Sequence, residues 1–307
     1  MQVTVPGNIL LAGEYIVTEE GGLGIAAAIE KRISLTVEES EHLEIHGRWG
    51  HEHLVWTADS PSDSSLYSSV VESVLESAGG NSLPNCRIIV DTSPFFLYGN
   101  KKRGFGSSAA VAAGLTYLLL KIIGGAPPDT AAVFRTALRG HRAFQNGEGS
   151  GYDIAASVFG GIGLFTGGHD PEYRSLDKEL FAITLVQGEI PVSTVKAVDE
   201  YKKWKKKYPK KWESYFKQSN DCVAEMSEAE TYEEAVSHFL QAKKLGLRLG
   251  EEIGIKANFK PAHPSDGQFL KTSPYKSVGA GNELAAVLIK ERTIAPFSIA
   301  REGVRIE

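Results

Sequence analysis

The sequence predicts an α+β protein, with strands concentrated early in the chain and helices after them. Apolar and polar residues alternate around Ile33, Leu35 and Val37, which is the period of a strand with one face in water. Between residues 198 and 253 the pattern is helical throughout. A regularly alternating α/β sheet is the less favoured alternative, because strands and helices do not take turns along the chain.

The first half of the chain contains most of the predicted strands. Residues 2–5 form a strand candidate that Pro6-Gly7 ends, and residues 42–46 and 51–57 form a hairpin around Gly47–Gly50. The remaining strand candidates, chosen for apolar runs or alternation, are Cys86–Asp91, 163–166, 180–186, Leu284–Ile289 and 299–306.

Helices are predicted from apolar residues spaced three or four apart and from helix-ending residues. An amphipathic helix over residues 66–75 ends at Gly79-Gly80, and Asp129 caps another that runs to about Phe144. A small-residue helix covers residues 154–158, and an apolar helix follows Ser108.

Length and composition exclude several classes of protein. A chain of 307 residues can bury a large core, and its length predicts two domains. The net charge of −5 provides no general attraction to nucleic acid or to an acidic membrane, so neither partner is expected. Cys86 and Cys222 lie far apart, which indicates free thiols in a reducing compartment. No apolar run approaches ~20 residues and no signal-peptide pattern begins the chain, so a cytoplasmic location is expected.

A lysine-rich run between Lys202 and Lys211 is interrupted by aromatic residues. Nucleic-acid binding would require a broader basic surface than one short run on an acidic protein. We therefore interpret the run as a solvated helix face whose aromatic side chains, Trp204, Tyr208 and Trp212, turn inward.

The most informative stretch leads from three cations into two glycines, a serine pair and an apolar helix. Glycine allows the backbone to turn its N–H groups inward, and a serine at a helix N-terminus lies where unpaired N–H groups favour an anion. A phosphate chain is the expected ligand, and a simple turn with a capped helix is the alternative. The stretch matches neither the Walker pattern nor the dinucleotide fingerprint. Its residues are Lys101, Lys102, Arg103, Gly104, Phe105, Gly106, Ser107, Ser108 and Ala109.

Two further glycine-containing stretches occur with it, Pro6-Gly7 to Gly13-Glu14-Tyr15 and Gly279-Ala280-Gly281. In this order and spacing the three resemble the motifs of the GHMP kinase superfamily (galactokinase, homoserine, mevalonate and phosphomevalonate kinases). The segments 102–108 and 149–155 are most similar to those of phosphomevalonate kinases, with mevalonate kinases next. The resemblance covers nearly the whole chain.

The resemblance implies a fold, a reaction and a set of partners. The fold is an N-terminal ATP-binding domain of the ribosomal protein S5 domain 2-like type, residues 1–175, and a ferredoxin-like C-terminal domain, residues 176–307. The active site lies in the cleft between them. ATP and Mg²⁺ are the implied cofactors, and the partner is a small-molecule phosphate acceptor. A monomer or a homodimer is expected.

The resemblance also assigns roles to individual residues. Asp153 handles the acceptor hydroxyl, Asn8 occupies the position of a catalytic lysine, and Ser108 contacts magnesium. The ATP-binding residues are Lys102, Arg103, Gly104, Gly106, Ser107, Ser108 and Ala109. The substrate-binding residues are Glu14, Tyr15, Ser150, Gly151, Gly279, Ala280 and Gly281. A helix N-terminus would keep Asp153 ionised, although aspartate also favours a simple N-cap role there.

Three positions depart from the family pattern. Asn8 replaces the lysine of Pro-Gly-Lys and cannot supply a cation. Asn282-Glu283 follows Gly281 where glycines and an aspartate are usual. Arg142 stands where mevalonate kinases carry a magnesium-binding glutamate eleven residues before the aspartate, and nearby Glu148 is interpreted as a solvated loop residue.

These observations leave three hypotheses for function. The first is an ATP-dependent kinase that phosphorylates phosphomevalonate in isoprenoid biosynthesis. The second is a related kinase that acts on a hydroxyl, with mevalonate or a sugar-like alcohol as acceptor. The third is a GHMP-fold protein that binds nucleotide or metabolite with weakened turnover, suggested by Asn8 and Asn282.

Overall fold

A computed structural model gives the structure of the chain. It describes residues 1–59, 65–80, 82–96, 102–176, 180–189, 194–255, 259–279, 283–290 and 299–307.

Helices and strands both make up large parts of the described chain, which confirms the α+β class. The strands are β1 Gln2–Ala12, β2 Leu23–Glu39, β3 Glu44–Trp49, β4 Glu52–Thr57, β5 Cys86–Asp91, β6 Ile162–Thr166, β7 Glu172–Ser175, β8 Ala182–Gln187, β9 Tyr275–Val278, β10 Leu284–Ile289 and β11 Arg305–Ile306. The helices are α1 Leu66–Ser77, α2 Ser107–Gly124, α3 Thr130–Phe144, α4 Tyr152–Phe159, α5 Thr194–Lys207, α6 Pro209–Glu228, α7 Tyr232–Ile253 and α8 Pro264–Lys271.

The chain divides into two compact units that are each discontinuous in sequence. The first unit contains Met1–Asn8, Ala28–Gly161 and Ala300–Glu307, and the second contains Ile9–Ala27 and Ile162–Ile299. Strands β1 and β2 therefore contribute residues to both units. The predicted domain boundary near residue 175 stays a prediction.

The first unit packs α1–α4 with a mixed sheet of order β11-β1-β2-β5-β3-β4. Strand β3 runs parallel to β5, with Ile45 opposite Ile88, and antiparallel to β4. Helix α2 contacts α1, α3 and α4, and ten of its residues are buried. This central position makes α2 the core helix of the first unit.

The described residues of the second unit form two small groups of strands and the four helices α5–α8. Residues Leu23–Ala27 of β2 pair with β6, which pairs with β7, and β10 pairs antiparallel with both β8 and β9. Helices α5, α6 and α7 contact one another, and α7 also contacts β9. Strand β9 carries Lys276, whose role is described below.

Helix α2 is also the one helix among the described residues that is long and apolar enough to cross a membrane. Sequence analysis predicts no apolar run long enough to cross a membrane. More than half of the helix is buried inside the first unit, against α1, α3 and α4, and this burial explains its apolar composition.

Most predicted elements are confirmed, and three expectations are wrong. Strand β1 continues through Pro6-Gly7 to Ala12, and Pro6 lies beyond the two residues that pair with β11, where a missing N–H is tolerated. The last strand covers Arg305–Ile306 rather than residues 299–306.

The third wrong expectation concerns the lysine-rich run, which is not one helix face. Helix α5 ends at Lys207 and α6 begins at Pro209, so Tyr208 lies at the junction. Trp204 is buried as expected, but Tyr208 is exposed, with the ammonium groups of Lys207 and Lys211 each 5.1 Å from its ring centre. The aromatic rings therefore do not all turn inward.

Candidate active site

The candidate phosphate-binding loop is anchored at its start by main-chain contacts. Lys102 forms a β-bridge with Phe96, and the Arg103 N–H donates to the Phe95 carbonyl at 2.9 Å. The Arg103 side chain donates from Nε to the Phe96 carbonyl at 3.2 Å, whereas Lys102 is exposed. The loop thus begins with one anchored cation and one solvated cation.

The loop then turns through two left-handed glycines into α2. Gly104 has φ +82° and Gly106 has φ +69°, and Phe105 between them is buried edge-on against Phe95. The first hydrogen bond of α2 runs from the Ala110 N–H to the Gly106 carbonyl. The N–H groups that precede it lie at a helix N-terminus, which is the standard main-chain arrangement for binding a phosphate.

The predicted ATP-binding residues Ser107, Ser108 and Ala109 are the first three residues of α2. The two serines are half-buried. Ala109 is fully buried, so its methyl group belongs to the core. Any contribution of Ala109 to phosphate binding would come from its main-chain N–H.

The side chain of Asn8 is hydrogen-bonded to the candidate phosphate-binding loop. This side chain is buried, with Nδ2 donating to the Gly106 carbonyl at 3.3 Å and to Ser157 Oγ at 3.0 Å. The Asn8 main-chain N–H donates to the Phe105 carbonyl, and Ser157 Oγ donates to the Pro6 carbonyl at 3.2 Å. The amide therefore joins β1, α4 and the first residue of the α2 turn.

The last turn of α3 holds both glycine-rich loops of the first unit. His141 is buried, with Nε2 3.1 Å from Ser108 Oγ. Arg142 donates from Nε to the Gly149 carbonyl at 3.0 Å and from Nη2 to the Ser150 carbonyl at 3.2 Å. Two consecutive residues of one helix thus contact the start of α2 and the loop before α4.

Asp153 is not the N-cap of α4. That position belongs to Gly151, with φ +94°, and Asp153 is the second residue of the helix. Its Oδ1 accepts from the Ile154 N–H at 2.9 Å, and the side chain is half-buried. The simple capping interpretation is therefore wrong.

Glu14 of the predicted substrate segment lies in the second unit and forms a buried ion pair with Lys276. The Lys276 ammonium donates to Glu14 Oε1 and, at 2.9 Å, to the Ser277 carbonyl. Both members of the pair are buried. Burial raises the pKa of the Glu14 carboxyl above its usual range, although the Lys276 ammonium opposes this shift.

Tyr15 follows with a left-handed backbone, φ +68°, which is uncommon for a residue with a side chain. Its ring lies 5.3 Å from that of Tyr201, and Tyr201 in turn lies beside Trp204, which meets Tyr215 edge-on. Burial and the nearby Glu14 carboxylate raise the pKa of Tyr15 to about 12. A ring held neutral in this way can donate a hydrogen bond at neutral pH.

The predicted site residues fall into both units. The first unit contains the residues of the α2 loop and also Asn8, Ser150, Gly151 and Asp153. The second unit contains Glu14, Tyr15 and Gly279. Gly279 has φ +74°, as a tight turn after β9 requires. Lys101, Ala280, Gly281 and Asn282 lie outside the described residues.

Sequence reasoning did not predict the contacts by which three residues hold these segments, namely His141, Ser157 and Lys276. Each acts through a contact with a residue distant in sequence, so no local pattern marks it. Within the described parts of the chain, no three His, Cys, Asp or Glu side chains come together in a cluster that could hold a metal ion.

Part of the candidate site lies in a range of residues that matches a known protein family. Residues 65–161, from α1 to the end of α4, match the family described as GHMP kinases N terminal domain. Over this range the chain is similar to the N-terminal domain of GHMP kinases. The matched range includes the α2 loop, His141, Arg142 and Asp153.

A curated relative, the phosphomevalonate kinase of Saccharolobus solfataricus, is 32% identical over 166 residues, which are 53% of this chain and 48% of that protein. The matched segment thus spans about half the length of that relative. The likeness in fold extends further, because a solved phosphomevalonate kinase and a solved mevalonate kinase align over nearly the whole chain.

Two solved structures show this likeness. Phosphomevalonate kinase from Streptococcus pneumoniae, solved with phosphomevalonate and AMPPNP, aligns with a TM-score of 0.76 at 17% identity, over 95% of this chain and 92% of that chain. Mevalonate kinase from Methanococcus jannaschii aligns with a TM-score of 0.71 at 16% identity, over 100% and 98% of the two chains. At these identities the likeness establishes the GHMP kinase fold.

The two ends of α2 provide a matched test of the loop geometry. Gly106 and Gly125 both have left-handed φ, but a Cβ at Gly106 would lie 2.2 Å from Asn8 Oδ1, whereas a Cβ at Gly125 meets no atom within 4 Å. We expect Gly125→Ala to lower the free energy of unfolding by about 1 kcal/mol. We expect Gly106→Ala to lower the free energy of unfolding by about 3 kcal/mol, because the left-handed backbone strain and the overlap of the new Cβ with the Asn8 side chain add together. Chemical denaturation measures the free energy of unfolding of both variants. Equal losses of stability would contradict the close approach of Asn8 to position 106.

A second prediction concerns the lysine that the family pattern places at Asn8. We expect Asn8→Lys to lower the free energy of unfolding by about 3 kcal/mol, because it buries a charge and removes the amide contact with Ser157. Asn85→Lys at an exposed position is the control and should change stability by less than about 0.5 kcal/mol. An Asn8→Lys protein with unchanged stability and faster turnover would show instead that the missing cation limits the rate.

A third prediction tests the buried pair of the second unit. Lys276→Met leaves the Glu14 carboxyl buried without its cation, and we expect a loss of about 3–5 kcal/mol near neutral pH. In the Lys276→Met protein the pKa of the Glu14 carboxyl is higher in the folded state than in the unfolded state, so ionisation of this carboxyl destabilises the fold only above the unfolded-state pKa. We therefore expect the loss of stability to shrink as the pH falls toward 4.5. Lys290→Met, which breaks the exposed pair with Glu233, is the control and should barely change stability. A pH-independent loss would indicate lost packing rather than an unpaired carboxylate.

Proposed function

We propose that the protein is an ATP-dependent kinase that phosphorylates phosphomevalonate to diphosphomevalonate. The observation that carries the proposal is the start of α2, where Gly104 and Gly106 turn the backbone into the N-terminus of a buried helix. Such a terminus binds phosphate oxygens through main-chain N–H groups. The 32% identity to a phosphomevalonate kinase over 166 residues supports the choice of acceptor.

Phosphoryl transfer requires mainly positioning and stabilisation of charge. The N–H groups of Ser107, Ser108 and Ala109 would bind the phosphate chain, and the left-handed glycines give the loop the backbone turn that leads into α2. Lys102, which is exposed, adds a mobile cation beside the loop.

The Ser108 hydroxyl fits a magnesium ion that arrives with the nucleotide. Such an ion commonly keeps several waters and takes its other ligands from phosphates and one or two protein groups. When bound, Mg²⁺ would neutralise charge on the phosphates.

Asp153 would act beside the acceptor. Its carboxylate lies in the first turn of α4, held by the Ile154 N–H, in a loop that Arg142 fixes through two carbonyl contacts. An ionised carboxylate there can accept a proton from an acceptor oxygen as the bond to phosphorus forms.

This role of Asp153 also supports a second candidate, a kinase that acts on a hydroxyl. A hydroxyl must lose its proton during transfer, whereas a phosphate oxygen is already largely ionised at neutral pH. The likeness to a mevalonate kinase fold is compatible with this candidate. The third hypothesis, a binding protein with weakened turnover, is supported by the buried, uncharged Asn8.

Coupled ADP release with Mg-ATP tests the three functions. We expect turnover with phosphomevalonate, and not with mevalonate, galactose, homoserine or buffer alone. Asp153→Asn should lower kcat by about 100-fold or more if the carboxylate takes a proton, and Ser108→Ala should weaken MgATP use. Asp170→Asn, at a fully exposed carboxylate, is the matched control and should leave kcat unchanged.

Turnover with mevalonate but not phosphomevalonate would reject the first function in favour of the second. If no acceptor supports ADP release while ATP still raises the melting temperature, the third function is favoured. A kcat unchanged by Asp153→Asn, with phosphomevalonate as the acceptor, would remove Asp153 from the chemistry without rejecting the kinase.

A further inference from the structure

His141 is a buried titratable side chain that the proposed reaction does not yet use. It lies in the last turn of α3, is 2% exposed, and its ring lies beside that of Phe144. Its Nε2 is 3.1 Å from Ser108 Oγ, within hydrogen-bond distance. Among the contacts of the described residues, this is the hydrogen bond that fixes the Ser108 hydroxyl.

The direction of this hydrogen bond determines what the Ser108 oxygen can do. A serine hydroxyl has one O–H to donate and two lone pairs with which to accept. If Ser108 donates to Nε2, both lone pairs stay available to a cation. If Nε2–H donates to Ser108, one lone pair is used and the hydroxyl proton must point elsewhere. Only the His141 tautomer with its proton on Nδ1 permits the first arrangement.

We propose that His141 is a positioning residue that accepts the Ser108 O–H at Nε2 and so turns the Ser108 lone pairs toward a nucleotide-bound divalent cation. The proposal rests on the proposed kinase function, because it assumes that MgATP binds at the start of α2. The proposal gives α3 a second role. Besides packing against α2, the end of α3 orients the Ser108 hydroxyl.

The alternative is a histidine that only fills the core between α2 and α3. Loss of a packing residue would lower stability and would weaken the binding of ATP with and without the metal ion alike. Loss of a residue that orients Ser108 should weaken MgATP binding selectively, and it should do so only while Ser108 is present. Groups that orient a metal ligand typically contribute about 10-fold to 100-fold in metal affinity.

Calorimetric titration with MgATP and with metal-free ATP distinguishes these roles. We expect His141→Leu to raise the Kd for MgATP about 10-fold and to change the Kd for metal-free ATP by less than about 2-fold. His141→Gln places an amide oxygen near the position of Nε2 and should restore most of the affinity. Ser108→Ala should match His141→Leu, and the double variant should be no weaker than either single variant.

Additive losses in the double variant, or equal losses for MgATP and metal-free ATP, would overturn the proposal while leaving the kinase function intact. If the wild-type protein binds no ATP, the proposed function and the role of His141 fail together. Melting temperatures of each variant separate a folding defect from a binding defect.

Nitrogen-15 NMR of the histidine rings measures the tautomer in the wild-type protein, and a substitution is needed only to assign the signals. The chain has eight histidines, and the signal pair missing from His141→Gln assigns residue 141. We expect Nε2 of His141 to give the shift of an unprotonated ring nitrogen and Nδ1 that of a protonated one. A protonated Nε2 would overturn the proposal.

Discussion

The side-chain amide of Asn8 is the contact on which the geometry of the candidate phosphate-binding loop depends. It donates to the Gly106 carbonyl at the turn into α2 and to Ser157 in α4, and its own residue belongs to β1. A buried amide with paired donors fixes its neighbours firmly, because breaking either bond leaves a polar group without water. The approach is so close that only glycine fits at position 106.

The last turn of α3 adds the other supports of the same region. His141 contacts Ser108 and Arg142 contacts the carbonyls of Gly149 and Ser150, so one helix end fixes both loops of the first unit. Phosphate binding through main-chain N–H groups requires that the groups already point the right way before the ligand arrives. These side-chain contacts provide that rigidity without occupying the N–H groups themselves.

The parts of the fold that could be predicted from sequence are those determined by local chemistry. Strands β5 and β10 begin and end where the apolar runs do, and Asp129 caps α3 by accepting the Ala132 N–H at 2.9 Å. The left-handed glycines of the α2 loop were also predictable, because few other residues adopt that backbone.

Prediction was less successful where a distant contact decides the structure. Pro6-Gly7 looks like a turn in the sequence, yet the Pro6 carbonyl accepts from Ser157, some 150 residues later, and the strand continues. The buried pair of Glu14 and Lys276 joins residues 262 positions apart. The capping role considered for Asp153 was wrong for a local reason, because Gly151 supplies the left-handed turn two residues earlier.

The departures of Asn8 and Arg142 from the mevalonate kinase pattern can now be considered together. That pattern places a lysine and a glutamate where this chain has a neutral amide and an arginine, so the pair changes from no net charge to a net charge of +1. Arg142 holds this charge beside the loop that leads to Asp153. A more positive surrounding lowers the cost of bringing a dianionic acceptor next to a triphosphate and a carboxylate, whereas a neutral hydroxyl acceptor gains little from it. Under the proposed function, the added charge of Arg142 therefore suits an acceptor that already carries a phosphate.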